Sequence, residues 1–259
     1  MRRICDDLEA EHASLDALVS GLESEHWDTP TPAEGWTVRD QIAHLAYSDV
    51  SARLAVVDAE AWRREFMIDR VEREGRQHDV GSRRTPSELL AWWRECRRAM
   101  LTAFRPLDRR ARVPWFGPPM SALTFATARL EETWGHGQDV ADALGVRRPD
   151  TDRLRHVAHL GVLTRTYSFV NQARPAPTED VRVELTGPRG EKWTWGDPSA
   201  ANRVTGSARG FCLVVTRRRH IADTDLVTEG AAAREWMEIA QAFAGPPGPG
   251  RRPGQFPRE

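Results

Sequence analysis

The chain has 259 residues, of which 40 % are hydrophobic and 29 % are charged, and its formal net charge is −1. This length suits one large domain or two modest ones, and the balanced charge argues against non-specific nucleic-acid binding. Apolar runs of about 18 residues are missing, and the start of the chain lacks a signal-peptide pattern. We therefore expect a cytoplasmic protein that does not span a membrane.

The first part of the chain has the apolar periodicity of helices. Spacings of three and four residues predict a helix over residues 3–22. A second helix is predicted to begin after Thr37, where Asp40 occupies the third helical position, and another after Thr85, where a capping box precedes a proline. The charged residues 62–76 between them also favour a helix.

The helical pattern continues past the middle of the chain. Ser121 is predicted to begin a helix that runs to Leu144 and ends at Gly145. Another helix is expected from about residue 150 to Val170. Long helices with mostly short connections predict a mainly α protein, built on an antiparallel four-helix-type bundle over residues 1–175.

The pattern changes near residue 176, where a small α+β domain is predicted over residues 176–244. Alternating apolar residues at 181–185 and 192–195, separated by a Gly-Pro-Arg-Gly turn, predict a β-hairpin. Residues 245–259 are rich in proline and glycine and are predicted to be an extended or disordered tail. The other predicted elements are helices at 208–217 and 231–243 and a short strand at 224–228.

One pair of residues suggests a metal site. Glu132 and His136 lie four residues apart on a predicted helix, which places both side chains on one face. His44, on the second predicted helix, could supply a third ligand, and three protein ligands leave a position open, as in catalytic zinc sites. Taken alone, each of these residues is more often a surface residue or a hydrogen-bonded core residue.

The segments that contain these residues resemble a known family. Residues 35–46 read GWTVRDQIAHLA and residues 132–145 read ETWGHGQDVADALG. Both are similar to the DinB-like bundle superfamily, specifically the mycothiol-dependent maleylpyruvate isomerase group. The resemblance implies that His44, Glu132 and His136 bind a divalent metal, most simply Zn²⁺, although Fe, Ni or Co would accept similar ligands. It also implies mycothiol as the thiol cofactor or cosubstrate.

Three further residues have two interpretations each. Asp139 follows His136 by three residues and could orient a metal ligand, or it could be an exposed helix aspartate. Trp36 and Trp134 could form walls of the site, or they could be ordinary packing residues.

A cationic cluster lies at the end of the helix predicted at 208–217. Arg217, Arg218 and Arg219 are either a solvated helix end or an anchor for an anionic substrate. The family carries an arginine in its C-terminal domain that serves the reaction, and the resemblance implies that this cluster corresponds to it, without selecting one member. His156 and His159 are also close in sequence, but no local carboxylate accompanies them at ligand spacing, which favours a structural or surface role.

These observations give hypotheses from two classes. The first is a metal-dependent enzyme that uses a low-molecular-weight thiol on an electrophilic small molecule, by isomerisation or by S-transfer and thiol exchange. A metal-dependent hydrolase or hydratase would use the same three ligands. The second class is a non-catalytic metal- or ligand-binding bundle. We expect the electrophile and the thiol as partners, with neither nucleic acid nor membrane, and the sequence leaves a homodimer open.

A helical transcriptional regulator is disfavoured, because the sequence has no clear helix-turn-helix signal and a net charge near zero.

Overall fold

Side-chain caps define where two long helices of the protein begin. Thr37 and Asp40 form a capping box at one helix start, and Thr85 and Glu88 form the other, with Pro86 at the first helical position. Each threonine hydroxyl accepts a hydrogen bond from the backbone N–H of the acidic residue, whose carboxylate accepts one from the cap backbone. Such boxes satisfy N–H groups that no intrahelical carbonyl reaches, and each cap stabilises by about 1 kcal/mol.

The computed structural model describes residues 1–258, and the contacts divide the chain into two units between Arg148 and Pro149. A short hairpin precedes the last helix of the first unit. The elements of this unit are α1 (Arg2–Val19), α2 (Val38–Val57), α3 (Ala59–Phe66), α4 (Arg70–Ser82), α5 (Pro86–Phe104), β1 (Arg112–Val113), β2 (Met120–Ser121) and α6 (Ala122–Ala143).

Four of these helices form a bundle. α2 packs against α5 and α6, and α1 packs against α6 and α5. Apolar side chains such as Ile42, Leu45 and Trp93 are fully buried between them. The prediction of a mainly helical protein with a four-helix-type bundle is confirmed. Within residues 1–258, no helix combines the length and the apolar character that crossing a bilayer requires.

The charged segment predicted as one helix is divided into α3 and α4. The division occurs because Asp69 caps a new helix, with its side chain accepting hydrogen bonds from the backbone N–H groups of Val71 and Glu72. α4 then packs on α2. Gly81 permits this close approach, since a Cβ at that position would lie 2.9 Å from the Cβ of Ala43. α4 is thereby held over the N-terminal half of α2.

Ion pairs link the bundle helices. Asp16 of α1 accepts hydrogen bonds from Arg94 and Arg97 of α5, at N–O distances of 2.5–2.8 Å. Asp49 of α2 pairs with Arg129 of α6 at 2.9 Å, with both side chains buried. Because removing two charges from water offsets much of their attraction, we interpret the buried pair mainly as a determinant of which helix faces meet.

The second unit contains a four-stranded sheet with helices packed on it. Its strands are β3 (Val181–Thr186), β4 (Lys192–Trp195), β5 (Asn202–Ser207) and β6 (Val227–Glu229). Their order is β4-β3-β5-β6, with β3 parallel to β5 and the other neighbours antiparallel. The predicted hairpin, β3–β4, is present. The helices are α7 (Leu154–Leu163), α8 (Arg165–Asn171), α9 (Ala208–Val215) and α10 (Ala231–Ile239).

Some boundaries differ from the sequence predictions. The helix expected at 150–170 is two helices, α7 and α8, which meet at Thr164. By contacts it groups with the second unit, because α7 packs on α9, whereas the predicted boundary near residue 176 assigned it to the bundle. The sequence pattern does not predict β5, in which Val204 is the one buried side chain.

The tail, as far as residue 258, contacts other residues of the second unit. The backbone N–H of Gly254 donates to Asp223, and the Nε of Arg258 donates to the carbonyl of Thr224. The ring of Phe256 lies under the guanidinium of Arg219, 3.7 Å from its carbon atom to the ring centroid.

We predict that Asp16→Asn destabilises the protein by about 1.5–3 kcal/mol at pH 7, as expected for hydrogen bonds to a charged group. The hydrogen bond from Arg94 outweighs burial and, together with Arg97, lowers the pKa of Asp16 in the folded protein. A lowered folded-state pKa stabilises the fold above the unfolded-state value of about 3.9. This contribution is lost as the pH falls through the folded-state pKa. Urea denaturation at several pH values measures the effect.

Asp6→Asn is the matched control, because Asp6 lies on the same helix and pairs with Arg105 at the surface, with 54 % of its side chain exposed. Asp6→Asn should lower the free energy of unfolding by no more than about 1 kcal/mol. Equal losses in the two variants, or a loss in Asp16→Asn that persists in acid, would contradict this account of the α1–α5 contact.

Candidate metal centre

His44 of α2 meets Glu132 and His136 of α6 where these two helices pack. The Nε2 atoms of His136 and His44 lie 3.2 Å and 3.5 Å from the same oxygen, Oε2 of Glu132. One potential ligand atom from each residue lies within 4.8 Å of the others. The structure therefore brings together the three residues that the sequence analysis selected.

The three side chains are partly open to solvent, with exposed fractions of 22 % for His44, 21 % for Glu132 and 13 % for His136. Burial acts to raise the pKa of Glu132, but the adjacent imidazoles of His136 and His44 overcome this effect and hold the pKa well below its usual value. The carboxylate is therefore charged at neutral pH. Glu132 is therefore a solvent-accessible carboxylate that lies between the imidazole nitrogens of His44 and His136.

Trp36 forms one wall of this centre. Its ring centroid lies 5.3 Å from that of His44 and 5.8 Å from that of His136, and it stacks nearly parallel to the second ring. Trp134 is buried elsewhere on α6, where Arg148 donates a hydrogen bond to its carbonyl. The structure thus supports the wall interpretation for Trp36.

Two glutamines that the sequence analysis did not select contact the outer nitrogens of the imidazoles. Oε1 of Gln41 lies 2.5 Å from Nδ1 of His136, and Oε1 of Gln77 lies 2.9 Å from Nδ1 of His44. Gln41 is fully buried beside Ile42, so a polar residue on an apolar helix face was an available signal. Gln77 lies in the charged helix α4, where its sequence context gives no such signal.

Asp139 is buried on α6, with 1 % of its surface exposed. The interpretation of an exposed helix aspartate is therefore wrong, because this side of the helix faces the protein interior. Its proposed part in orienting a metal ligand stays a prediction.

The arginine cluster follows α9 in the second unit. Arg218 and Arg219 are only 9 % and 6 % exposed, so a solvated helix end is the wrong description for them. Arg217 is less enclosed, has a φ of +60°, and donates a hydrogen bond to the carbonyl of Gly248. Arg219 stacks on Phe256 of the tail. Anchoring of a substrate anion by these arginines stays a prediction.

The second histidine pair lies on α7. Nδ1 of His159 accepts a hydrogen bond from Nε1 of Trp195 at 3.2 Å. Burial lowers the pKa of His159, and the nearby His156 and Arg155 lower it further. These contacts agree with the structural role that the sequence analysis favoured for His159.

The side chains of His44, Glu132 and His136 are chemically suited to binding a divalent cation. Two imidazole nitrogens and one carboxylate oxygen are a donor set that Zn²⁺ and related ions bind, and three ligands leave a position for another molecule. Each imidazole directs Nε2 inward while an amide oxygen contacts Nδ1. Metal-ligating histidines are usually held in this way by residues behind them.

Comparisons with known proteins agree with this architecture. The profile of the mycothiol maleylpyruvate isomerase N-terminal domain family matches residues 8–141, and that of the wyosine base formation family matches residues 177–229. Two uncharacterized proteins from strains of Mycobacterium tuberculosis, Rv0036c and MT0041, are 48 % identical to this chain over 248 residues, covering 95 % of it and 96 % of each relative.

Solved structures add a likeness of fold. The crystal structures of the mycothiol-dependent maleylpyruvate isomerase and of a mutant of it match with a TM-score of 0.61 and 18 % identity, over 84 % of this chain and 89 % of theirs. The predicted family resemblance is confirmed by the profile that spans residues 8–141. That range contains all three residues of the candidate centre.

We predict that the protein, once stripped with a chelator, takes up one equivalent of Zn²⁺. Each of the substitutions His44→Ala and His136→Ala should lower the affinity at least about 10-fold, since the loss of a ligand should cost at least as much as the loss of a residue that supports one. Isothermal titration calorimetry and elemental analysis measure affinity and stoichiometry. His159→Ala is the control and should bind Zn²⁺ like the wild type. Unchanged binding in both site variants would place the metal elsewhere.

Proposed function

The chain belongs to the mycothiol maleylpyruvate isomerase N-terminal domain family, and from that premise we propose that it is a metal-dependent enzyme that uses a low-molecular-weight thiol, mycothiol, on an electrophilic small molecule. The convergence of His44, Glu132 and His136 on one partly open point carries this proposal. Family membership supports the choice of thiol, and the three side chains support the place where it would act.

The residues of the centre have distinct parts in the proposed chemistry. His44 and His136 would bind a divalent ion, most simply Zn²⁺, through Nε2, and Glu132 would bind it through its carboxylate. A bound ion of this kind lowers the pKa of a thiol and makes thiolate available near neutral pH. The low pKa of Glu132 keeps its charge in place. Trp36 shields one side of both imidazoles from water.

Isomerisation needs no other reactant. The thiolate sulfur forms a bond to one carbon of a double bond conjugated to a carbonyl, and the π electrons move towards the carbonyl oxygen. Rotation about the resulting single bond, followed by departure of the same thiolate, restores the double bond in the other geometry. If the adduct instead takes a proton and keeps its C–S bond, the outcome is S-transfer.

We also propose that the arginine cluster binds a carboxylate of the substrate. A guanidinium offers two parallel N–H donors to a carboxylate, which gives both affinity and orientation. Arg217 is the least enclosed of the three members and is therefore the first to test. An Arg217→Met variant should raise KM with little change in kcat.

We predict thiol-dependent turnover of cis-configured unsaturated oxo acids such as maleylpyruvate. Glu132→Gln should lower kcat/KM at least about 100-fold, because several kcal/mol of stabilisation by the metal would be lost. Absorbance of the conjugated substrate measures the rate, and NMR identifies the product as an isomer or an S-adduct. His159→Ala should retain wild-type activity, and circular dichroism should show that both variants are folded.

Three outcomes would contradict the proposal. Turnover without thiol and with incorporation of water would identify a hydrolase or hydratase. Metal binding without turnover in the presence of thiol would favour a non-catalytic binding bundle. Full activity in Glu132→Gln would remove the candidate centre from the reaction.

A further inference from the structure

In the hydrogen bonds behind His136, the donor and the acceptor of each bond can be assigned by starting from a backbone carbonyl. The carbonyl oxygen of Trp36 can only accept, so the hydroxyl of Thr31, 2.9 Å away, donates its hydrogen to it. With that hydrogen used, Oγ1 of Thr31 accepts from Nε2 of Gln41 at 2.9 Å. The amide of Gln41 is therefore oriented with its oxygen towards His136.

This orientation determines which nitrogen of His136 carries the hydrogen. The amide oxygen of Gln41 can only accept, so Nδ1 of His136 donates to it. In the neutral imidazole, Nε2 then presents a lone pair. That lone pair faces a carboxylate oxygen of Glu132 at 3.2 Å. Two acceptors in this position repel each other unless a proton on Nε2 or a metal cation lies between them.

Because Gln41 is buried, water cannot easily take the place of its side-chain amide. The side chain of Gln41 is 0 % exposed, so water has no free access to substitute for its amide. Rotating the amide by half a turn would set its oxygen against Oγ1 of Thr31, whose hydrogen is already donated to the carbonyl of Trp36, so that contact would have no donor. Gln77 offers His44 the same kind of partner, but it is only partly buried, so solvent can compete for that position.

We propose that Gln41, oriented by Thr31, is a positioning residue that fixes the tautomer and the ring orientation of His136 for binding a divalent cation. The inference rests on the proposed metal-dependent function and adds two residues to it. Gln41 acts through His136 and is not itself a ligand.

The test measures cation binding without turnover. Zn²⁺ affinity is obtained by competition with a chromophoric chelator, and the visible absorption of the Co²⁺-loaded protein reports the geometry of the ligands. Gln41→Leu should weaken Zn²⁺ binding about 10–100-fold, the usual effect of removing a residue that supports a metal ligand, and should change the Co²⁺ spectrum. Gln41→Glu should restore binding, because its carboxylate also accepts from Nδ1 of His136.

The hydroxyl of Thr31 is tested separately. Thr31→Val removes the group that orients the amide, and it should give a smaller loss of affinity than Gln41→Leu. Thr31→Ser keeps the hydroxyl and should bind Zn²⁺ like the wild type. This pair also keeps the inference testable if Gln41→Leu fails to fold.

Gln138→Leu is the matched control. Gln138 is a buried glutamine of α6 that donates to Asp142 at 2.8 Å. Its replacement removes a buried amide from the same bundle, so the free energy of unfolding should fall, as in Gln41→Leu. Zn²⁺ affinity and the Co²⁺ spectrum should nevertheless stay at wild-type values.

The outcomes separate the two proposals. Wild-type affinity and spectrum in Gln41→Leu would overturn the inference and leave the proposed function intact. Equal losses in Gln41→Leu and Gln138→Leu, or in Thr31→Val and Thr31→Ser, would also overturn it, because a general weakening of the bundle would then explain the data. Failure of the wild-type protein to bind Zn²⁺ would reject the proposed function and the inference together.

Discussion

The packing of α2 against α6 brings two imidazole nitrogens within 3.5 Å of one carboxylate oxygen, and neighbouring residues of the first unit hold these groups in place. Inward-facing imidazole nitrogens and a carboxylate repel unless positive charge lies among them. The surrounding protein holds them there: Gln41 and Gln77 contact the outer ring nitrogens, and Trp36 covers both rings. The buried pair of Asp49 and Arg129 joins the same two helices. Helix packing thus brings together the groups that would bind a cation.

Local sequence signals account for much of the fold. Thr37, Thr85 and Ser121 start helices where they were expected, because a capping side chain acts within one turn of its own backbone. The sequence was less informative where tertiary contacts decide. β5 has one buried residue, Val204, and it is a strand because it lies between β3 and β6. Likewise, tertiary contacts, above all those with α9, assign α7 to the second unit.

The candidate site could be predicted in part for a similar reason. The spacing of Glu132 and His136 places both on one helix face, and the resemblance to a known family added His44. The enclosure of Arg218 and Arg219 was not predictable, because it depends on packing within the second unit. Hydrogen bonds that join side chains from several separate segments produce no periodic pattern in a single sequence.

The distance along the chain between the residues of the centre has a consequence for folding. Gln41 and His136 are 95 residues apart, so their contact requires closure of most of the bundle and cannot form within a single helical hairpin. A chain with formed but undocked helices would lack the complete set of donors. A cation that recognises the complete set adds its binding free energy to the native state alone. The supply of that ion in the cell would then help to determine how long each molecule survives proteolysis.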